Sequence, residues 1–278
     1  MLGEERTRDP KWGMICEIGE ARKGRSTKNS LVRNAFAILQ AFRTSGDWLT
    51  SRELSQRACL PKSSGHRLIV TLEELGAVIR GPHGRYRPGM LLVSLSHSVV
   101  ITELLREVSH TVMQDLASKL HLTVHLGALE DGMVTYVNKI STPNAFPPYT
   151  RVGSKLEAYC SGLGKVLLAA LPAEQLENFI LEGELVALTP HTITDRALLR
   201  AELDRIRAQG YAVDDREYQA NMRCIAVPIH DADGRVVAAL SATGKTDKVP
   251  IEDHEQIRDE LLLAAAMIAR KLNPAKTV

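Results

Sequence analysis

Ser161-Gly162-Leu163-Gly164-Lys165 puts a hydroxyl, two glycines and an ammonium into five residues, a combination that can cradle an anion. Nucleotide binding needs more: G-x-x-x-x-G-K-[ST], where the first glycine sharpens the turn and the last hydroxyl holds magnesium. With Gly164 and Lys165 as the GK pair, Tyr159 stands where the first glycine belongs and Val166 where the hydroxyl belongs. The spacing argues against ATP or GTP. What survives is a loop opening an apolar helix over Gly164–Ala170, whose amides can converge on a smaller anion, with glycines that permit close approach and positive φ.

Two side chains could act as nucleophiles, Cys224 and Ser161, with Lys165 or His230 as the base. Neither lies in the G-x-S-x-G turn that exposes a catalytic serine. The expectation is therefore not an enzyme; an enzyme using Cys224 or Ser161 is the alternative. The four cysteines, Cys16, Cys59, Cys160 and Cys224, lie far apart with no C-x-x-C spacing. That argues against a zinc knuckle and against a disulfide framework. No cofactor and no metal is expected.

The charge is segregated. Between Lys28 and Gly89 there are ten bases and four acids, an excess of six, while the whole chain carries only +2. A basic module joined to a mildly acidic one points the first toward a polyanion and the second elsewhere. No apolar run approaches the ~18 residues of a membrane span, and no signal-peptide pattern opens the chain. A reducing, cytoplasmic location without membrane contact follows as an expectation.

The elements that must position these groups fall into two sets. Residues 1–27 show no sustained period and read as a flexible tail. Leu31, Ala35, Ile38, Leu39 and Phe42 recur at helical steps. Thr50 and Glu53 form a capping box for a short helix carrying Leu54 and Ala58. Pro61 suits the first turn of a third helix, Lys62 to Leu75, with Leu68, Ile69, Leu72 and Leu75 as its buried stripe and Gly76 as its stop. Two extended runs around Gly81-Pro82-His83-Gly84 make a hairpin. Three helices and a hairpin are the order of a winged helix-turn-helix. A helix from Met90 to Ser98 and another from Glu103 to Leu120 lead into an α+β part. Its strands are Thr123–Leu129, Val134–Ile140, Cys224–His230 and Val236–Ala242; helices cover Ala173–Leu181, Asp195–Gln209 and Glu252–Leu272.

In a helix-turn-helix the second helix of the motif enters the major groove by its N-terminal residues. Here these are Lys62, Ser63, Ser64, Gly65, His66 and Arg67, with Arg33 in the first helix and Arg85 in the wing as further contacts. Wing residues Arg80, His83 and Arg87 can also reach phosphates. A missing side chain at Gly65 would let the helix approach a duplex closely. Arg67 has a second reading, an intramolecular ion pair with Glu74 or Glu53, and His66 a second reading as an exposed histidine without a role.

The chain resembles the IclR family of bacterial transcription regulators over about residues 28–273. The resemblance is carried by LVRNAFAIL (31–39), LPKSSGHRL (60–68), GLGK (162–165), GYAVD (210–214), CIAVPI (224–229) and GRVVAALS (234–241). It implies an N-terminal winged helix-turn-helix over 28–89 and a linker helix over 90–101. Residues 102–273 would then form a GAF/profilin-like α/β domain for effector binding and oligomerisation. It implies a ligand-responsive, sequence-specific DNA-binding regulator that meets operator DNA as a homodimer or a dimer of dimers (a homotetramer). The effector would be a small carboxylic or aromatic acid.

Carried over position by position, the effector-facing set is Ser161, Gly162, Leu163, Asp214, Cys224, Ser241 and Thr243. Ser241 and Thr243 are two apart on a strand and so face one side. Asp214 can instead cap a turn, Cys224 can be a small buried hydrophobe, and Lys165 can be structural or solvated instead of a carboxylate partner. The chain departs from the family at Glu157-Ala158-Tyr159, where Pro-Leu-His is usual, and at Arg216 and Asn221, which replace a glutamate and a glycine. Asn tolerates the left-handed geometry of that glycine. Tyr159 joins the effector set as the residue expected to shape ligand preference, and Phe146-Pro147-Pro148-Tyr149 can supply an aromatic wall.

Overall fold

A computed structural model of the chain describes residues 30–42, 48–96, 100–143, 145, 150–182 and 184–273. The expected tail over 1–27 and the Phe146–Tyr149 stretch lie outside the described residues. The chain divides into two compact units after Val99.

In the first unit, α1 (Ser30–Gln40), α2 (Ser51–Arg57) and α3 (Lys62–Glu74) precede strands β2 (Val78–Arg80) and β3 (Arg85–Pro88). Thr50 starts α2 as anticipated: its hydroxyl accepts from the Glu53 amide at 3.2 Å, and its own amide donates to Glu53 Oε2 at 2.7 Å. The Thr50 amide first, and then the Thr50 hydroxyl, which donates to Glu53 Oε2 at 2.8 Å, hold the Glu53 carboxyl below its usual pKa. Ile38, Leu54, Ile69, Leu72, Val78 and Tyr86 meet in the core of this unit.

Four local expectations are corrected. Pro61 is the N-cap of α3, one position before the first turn. Leu75 is 62% exposed because α3 ends at Glu74 and the stripe stops at Leu72. A two-residue strand β1 (Leu49–Thr50) pairs with β3, completing a three-stranded sheet of order β1-β3-β2. Cys59 is disulfide-bonded, against the expectation drawn from cysteine spacing, while Cys160 and Cys224 are free and buried. The following helix, α4 (Met90–Ser96), buries none of its residues.

The second unit is built on one antiparallel sheet of order β6-β5-β4-β9-β8-β7. Its strands are β4 (Thr123–Glu130), β5 (Met133–Ile140), β6 (Lys155–Glu157), β7 (Ala212–Asp215), β8 (Met222–His230) and β9 (Val236–Lys245). Glu130-Asp131-Gly132 and Asp231-Ala232-Asp233-Gly234 turn the two hairpins, and β4 pairs with β9 to join them. Helices α5 (Ile101–Leu120) and α9 (His254–Leu272) pack on one face, α6 (Gly162–Ala169), α7 (Ala173–Glu182) and α8 (Arg196–Gln209) on the other. Alternation along each strand does the sorting. Ala238, Leu240 and Ala242 face α5 and α9, whereas Ala239 faces α6.

The whole is α+β, a winged helix-turn-helix followed by a GAF/profilin-like domain. No described helix is long and apolar enough to cross a membrane.

Candidate functional site

Lys62, Ser63, Ser64, His66 and Arg67 are exposed along the first turns of α3, as is Arg33 on α1. Among the described residues Arg67 forms no ion pair with Glu74 or Glu53, and Glu53 is instead occupied by Thr50. Gly65 is different. It is buried, and a Cβ there would lie 2.2 Å from Ser55 Oγ and 2.8 Å from Ser55 Cβ. The close approach that this glycine permits is to α2, and it sets how tightly the two helices of the motif pack.

The wing is organised by Trp48. Arg85 donates from Nη1 to the Trp48 carbonyl at 3.0 Å, and the Arg87 guanidinium lies 4.8 Å above the Trp48 ring. A Cβ at Gly81 would fall 2.3 Å from that ring, so the glycine lets the turn after β2 pass close over it.

In the second unit, Ser161 is the N-cap of α6, its hydroxyl accepting from the Gly164 amide at 3.1 Å. The Gly162 and Leu163 amides, in the first turn, have no partner within the helix. The glycines here serve close packing and do not have positive φ. A Cβ on Gly162 would sit 3.1 Å from Cys224 Sγ, and one on Gly164 would sit 2.1 Å from the Ala158 carbonyl oxygen. The left-handed residue in the later turn is Arg216 (φ 66°), not Asn221.

Ser161, Gly162, Leu163, Asp214, Cys224, Ser241 and Thr243 line one cavity. It leaves about 20 Å³ of room for a water-sized body, which is space for roughly one water. Any larger guest must move side chains apart. His125, Tyr136, Thr150, Leu156, Tyr218 and Met222 complete the wall and were missed from sequence. A signal existed for His125: it is the polar residue between Val124 and Leu126 in an alternating strand, and its cross-strand partner is Ser241.

Tyr159 does not line this cavity. It is buried among the residues under α6 to α8, donates to the Val186 carbonyl at 2.8 Å and accepts from the Val186 amide at 3.0 Å.

Electrostatically the cavity is unusual for an anion site. Among the described residues no lysine or arginine lines it. His125 donates to or accepts from Thr150 Oγ1 at 2.8 Å, and burial, helped by Lys139, pushes its pKa down to about 3, so the ring is neutral. Asp214 is buried, and its Oδ1 accepts from the amides of Glu217 at 2.8 Å and Tyr218 at 3.4 Å. Burial first, then the Glu217 charge, push its carboxyl up to about 7 despite the opposing Lys165. Asp214 thus both caps a turn and faces the cavity. The Ser241 hydroxyl is buried without a hydrogen-bond partner of good geometry, although it lies beside the Cys224 thiol. A thiol is a weak partner for a buried hydroxyl.

Nothing here assembles a nucleophile with a base. Burial pushes the Cys224 thiol up to about 12. Ser161 is spent on capping, His230 is exposed at a strand end, and Lys165 points away from the cavity into a buried cluster. There it contacts Glu217 at 2.5 Å, the Val213 carbonyl at 2.7 Å and Glu202 at 3.4 Å. Lys165 is structural.

Residues 31–82 match the IclR helix-turn-helix domain, and residues 97–270 match the domain described as bacterial transcriptional regulator IclR C-terminal. The chain is 34% identical over 243 residues to the HTH-type transcriptional regulator XynR of Escherichia coli, covering 87% of this chain and 96% of that one. It resembles the crystal structure of the Thermotoga maritima IclR, with a TM-score of 0.59 and 32% identity over 87% of this chain and 98% of the other. An IclR homolog from Microbacterium hydrocarbonoxydans, complexed with 4-hydroxybenzoate, aligns with a TM-score of 0.58 and 28% identity, covering 87% of this chain and 99% of that one. These relatives are transcriptional regulators, not enzymes.

Proposed function

We propose, for a chain that belongs to the IclR family of bacterial transcriptional regulators, a specific division of labour. As a helix-turn-helix regulator it binds DNA. Residues 28–89 read a roughly palindromic operator through Lys62, Ser63, Ser64, His66 and Arg67, with Arg33 and Arg85 on phosphates. Residues 90–101 link this reader to residues 102–273, which bind a small carboxylic or aromatic acid and hold a homodimer or a dimer of dimers together. The protein works in the cytoplasm, where its operator is.

One observation carries the effector reading. Three separate stretches of chain, around residues 161–163, 214–224 and 241–243, converge on a cavity at the N-terminus of α6. The cavity offers a hydroxyl without a partner at Ser241 and first-turn amides at Gly162 and Leu163. That is chemistry for a carboxylate. The relative that holds 4-hydroxybenzoate supports the same ligand class. The cavity's small volume means that Tyr136, Tyr218 or Met222 must yield to an aromatic ring. Binding shifts the regulator only to the extent that the acid prefers one arrangement of the chain over another.

The test has two arms. Electrophoretic mobility of DNA from the gene's own upstream region should show sequence-preferring binding that Lys62→Ala weakens, lowering the salt slope by about one counterion. A thermal-shift screen of small acids should find one that raises the melting temperature by mass action. DNA binding that is indifferent to sequence, or a screen in which no acid stabilises the protein, refutes the corresponding half.

A further inference from the structure

We infer that the cavity takes its acid together with one proton, so that Asp214 and the ligand carboxylate share a hydrogen and the site selects monoanions. This rests on the reading of the cavity as the effector site and deepens it.

Among the described residues, an anion entering this cavity meets amides and hydroxyls but no cation. The described lining contains no lysine or arginine, and its basic ring, His125, is neutral and held by Thr150. The described lining does contain one carboxyl, that of Asp214. Both of its hydrogen bonds fall on Oδ1, leaving Oδ2 for a guest. Two carboxylates brought together in one small buried site disfavour double ionisation, and the favoured state holds a proton between them.

The groups around Asp214 do not relieve this. From α6, Lys165 is committed to Glu217 and to the Val213 carbonyl. From the turn after β7, Glu217 adds a second negative charge, and Tyr218 gives its amide. From β8, β5 and the stretch before α6, Cys224, Tyr136 and Cys160 are all pushed toward their neutral forms by burial. Asp214 already rests near neutrality without a guest. The step balances simply: the acid arrives as its carboxylate, one solvent proton settles between Asp214 Oδ2 and a ligand oxygen, and no covalent bond other than the one to that proton changes. A dianion would bring a second negative charge, which no described lysine or arginine of the lining offsets.

Isothermal titration calorimetry on the full chain tests this with acetate, lactate, benzoate and 4-hydroxybenzoate. Buffers of different ionisation heat report the protons taken up per ligand. The expected result is an uptake approaching one proton above about pH 7, with affinity falling about tenfold per further pH unit. Asp214→Asn, which keeps an oxygen for the Glu217 amide and presents a donor to the cavity, should bind with no uptake and little pH dependence. Glu217 is the other group able to titrate nearby, so a dependence that persists in Asp214→Asn assigns the proton elsewhere and overturns the inference. If that variant does not fold, the wild-type proton count decides alone. Binding without proton uptake overturns the inference and leaves the effector reading standing. No binding of any of these acids at any pH overturns both.

Discussion

The Lys165 ammonium and the Glu217 carboxylate, 2.5 Å apart and both withdrawn from solvent, join the helix that opens at the cavity to the turn that holds Asp214. Neither side chain lines the cavity itself. Their pairing is a strut behind the site, and Glu217 Oε2 is left without a partner.

Breaking that strut from one side should be costly. Lys165→Met strands a buried carboxyl, and the expected loss is about 3–5 kcal/mol by denaturant unfolding. Without the ammonium, the Glu217 carboxyl, already pushed up by burial, rises further. The loss should then be larger in mildly alkaline than in mildly acidic buffer. Combining Lys165→Met with Glu217→Gln should recover much of the stability, and a double variant as unstable as the single one would contradict the assignment.

At the other end of the chain, Gly65→Ala should destabilise the first unit by about 1–3 kcal/mol through overpacking, because its methyl would overlap Ser55. Pairing it with Ser55→Gly should restore part of the loss. Urea unfolding reads both. Unchanged stability in Gly65→Ala would return this glycine to the DNA-facing role expected from sequence.

Asp214 makes stability depend on pH. Its folded pKa of about 7 lies above its ordinary 3.8, so the folded state binds the proton more tightly than the unfolded chain. Stability from this group is full below the unfolded value, falls as pH rises toward about 7, and is level beyond, by an amount on the order of a few kcal/mol. Asp214→Asn should lack this fall and be more stable than the parent in mildly alkaline buffer. Thermal melts across the range, in the absence of any acid ligand, show whether the two curves converge at low pH.

Tyr159→Phe removes a hydroxyl that both donates to and accepts from Val186. A cost of about 1–3 kcal/mol follows, since the Val186 groups lose their partner. Affinity for any acid ligand should stay unchanged, because Tyr159 lies outside the cavity wall. A shift in ligand preference without loss of stability would reverse that placement.

How much of this could be read from residues alone varied with locality. The capping box at Thr50 and Glu53 and the two hairpin turns rest on short-range signals, a cap and a turn, whereas the seven cavity residues from Ser161 to Thr243 come from the family resemblance, with the strand period of Ser241 and Thr243 in agreement. Strands β1, β6 and β7 were missed because runs of two to four residues carry no period of their own and exist only through distant partners such as Tyr86 or Cys224. Tyr136, Leu156 and Met222 look like ordinary core in sequence, and only the curl of the sheet turns them toward a cavity. Tyr159 misled for the opposite reason. It sits beside a conspicuous loop in sequence, yet its hydroxyl is held by Val186 and it lies outside the cavity wall.

The alternation along β4, β8 and β9 has an evolutionary reading. Val124, Leu126, Val227 and Leu240 hold the α5 and α9 face, while His125, Cys224, Ser241 and Thr243 line the cavity on the opposite one. Substitutions can therefore accumulate on the cavity side with little disturbance to the supporting side. Such a frame can change what its cavity admits by single steps while the supporting face is kept.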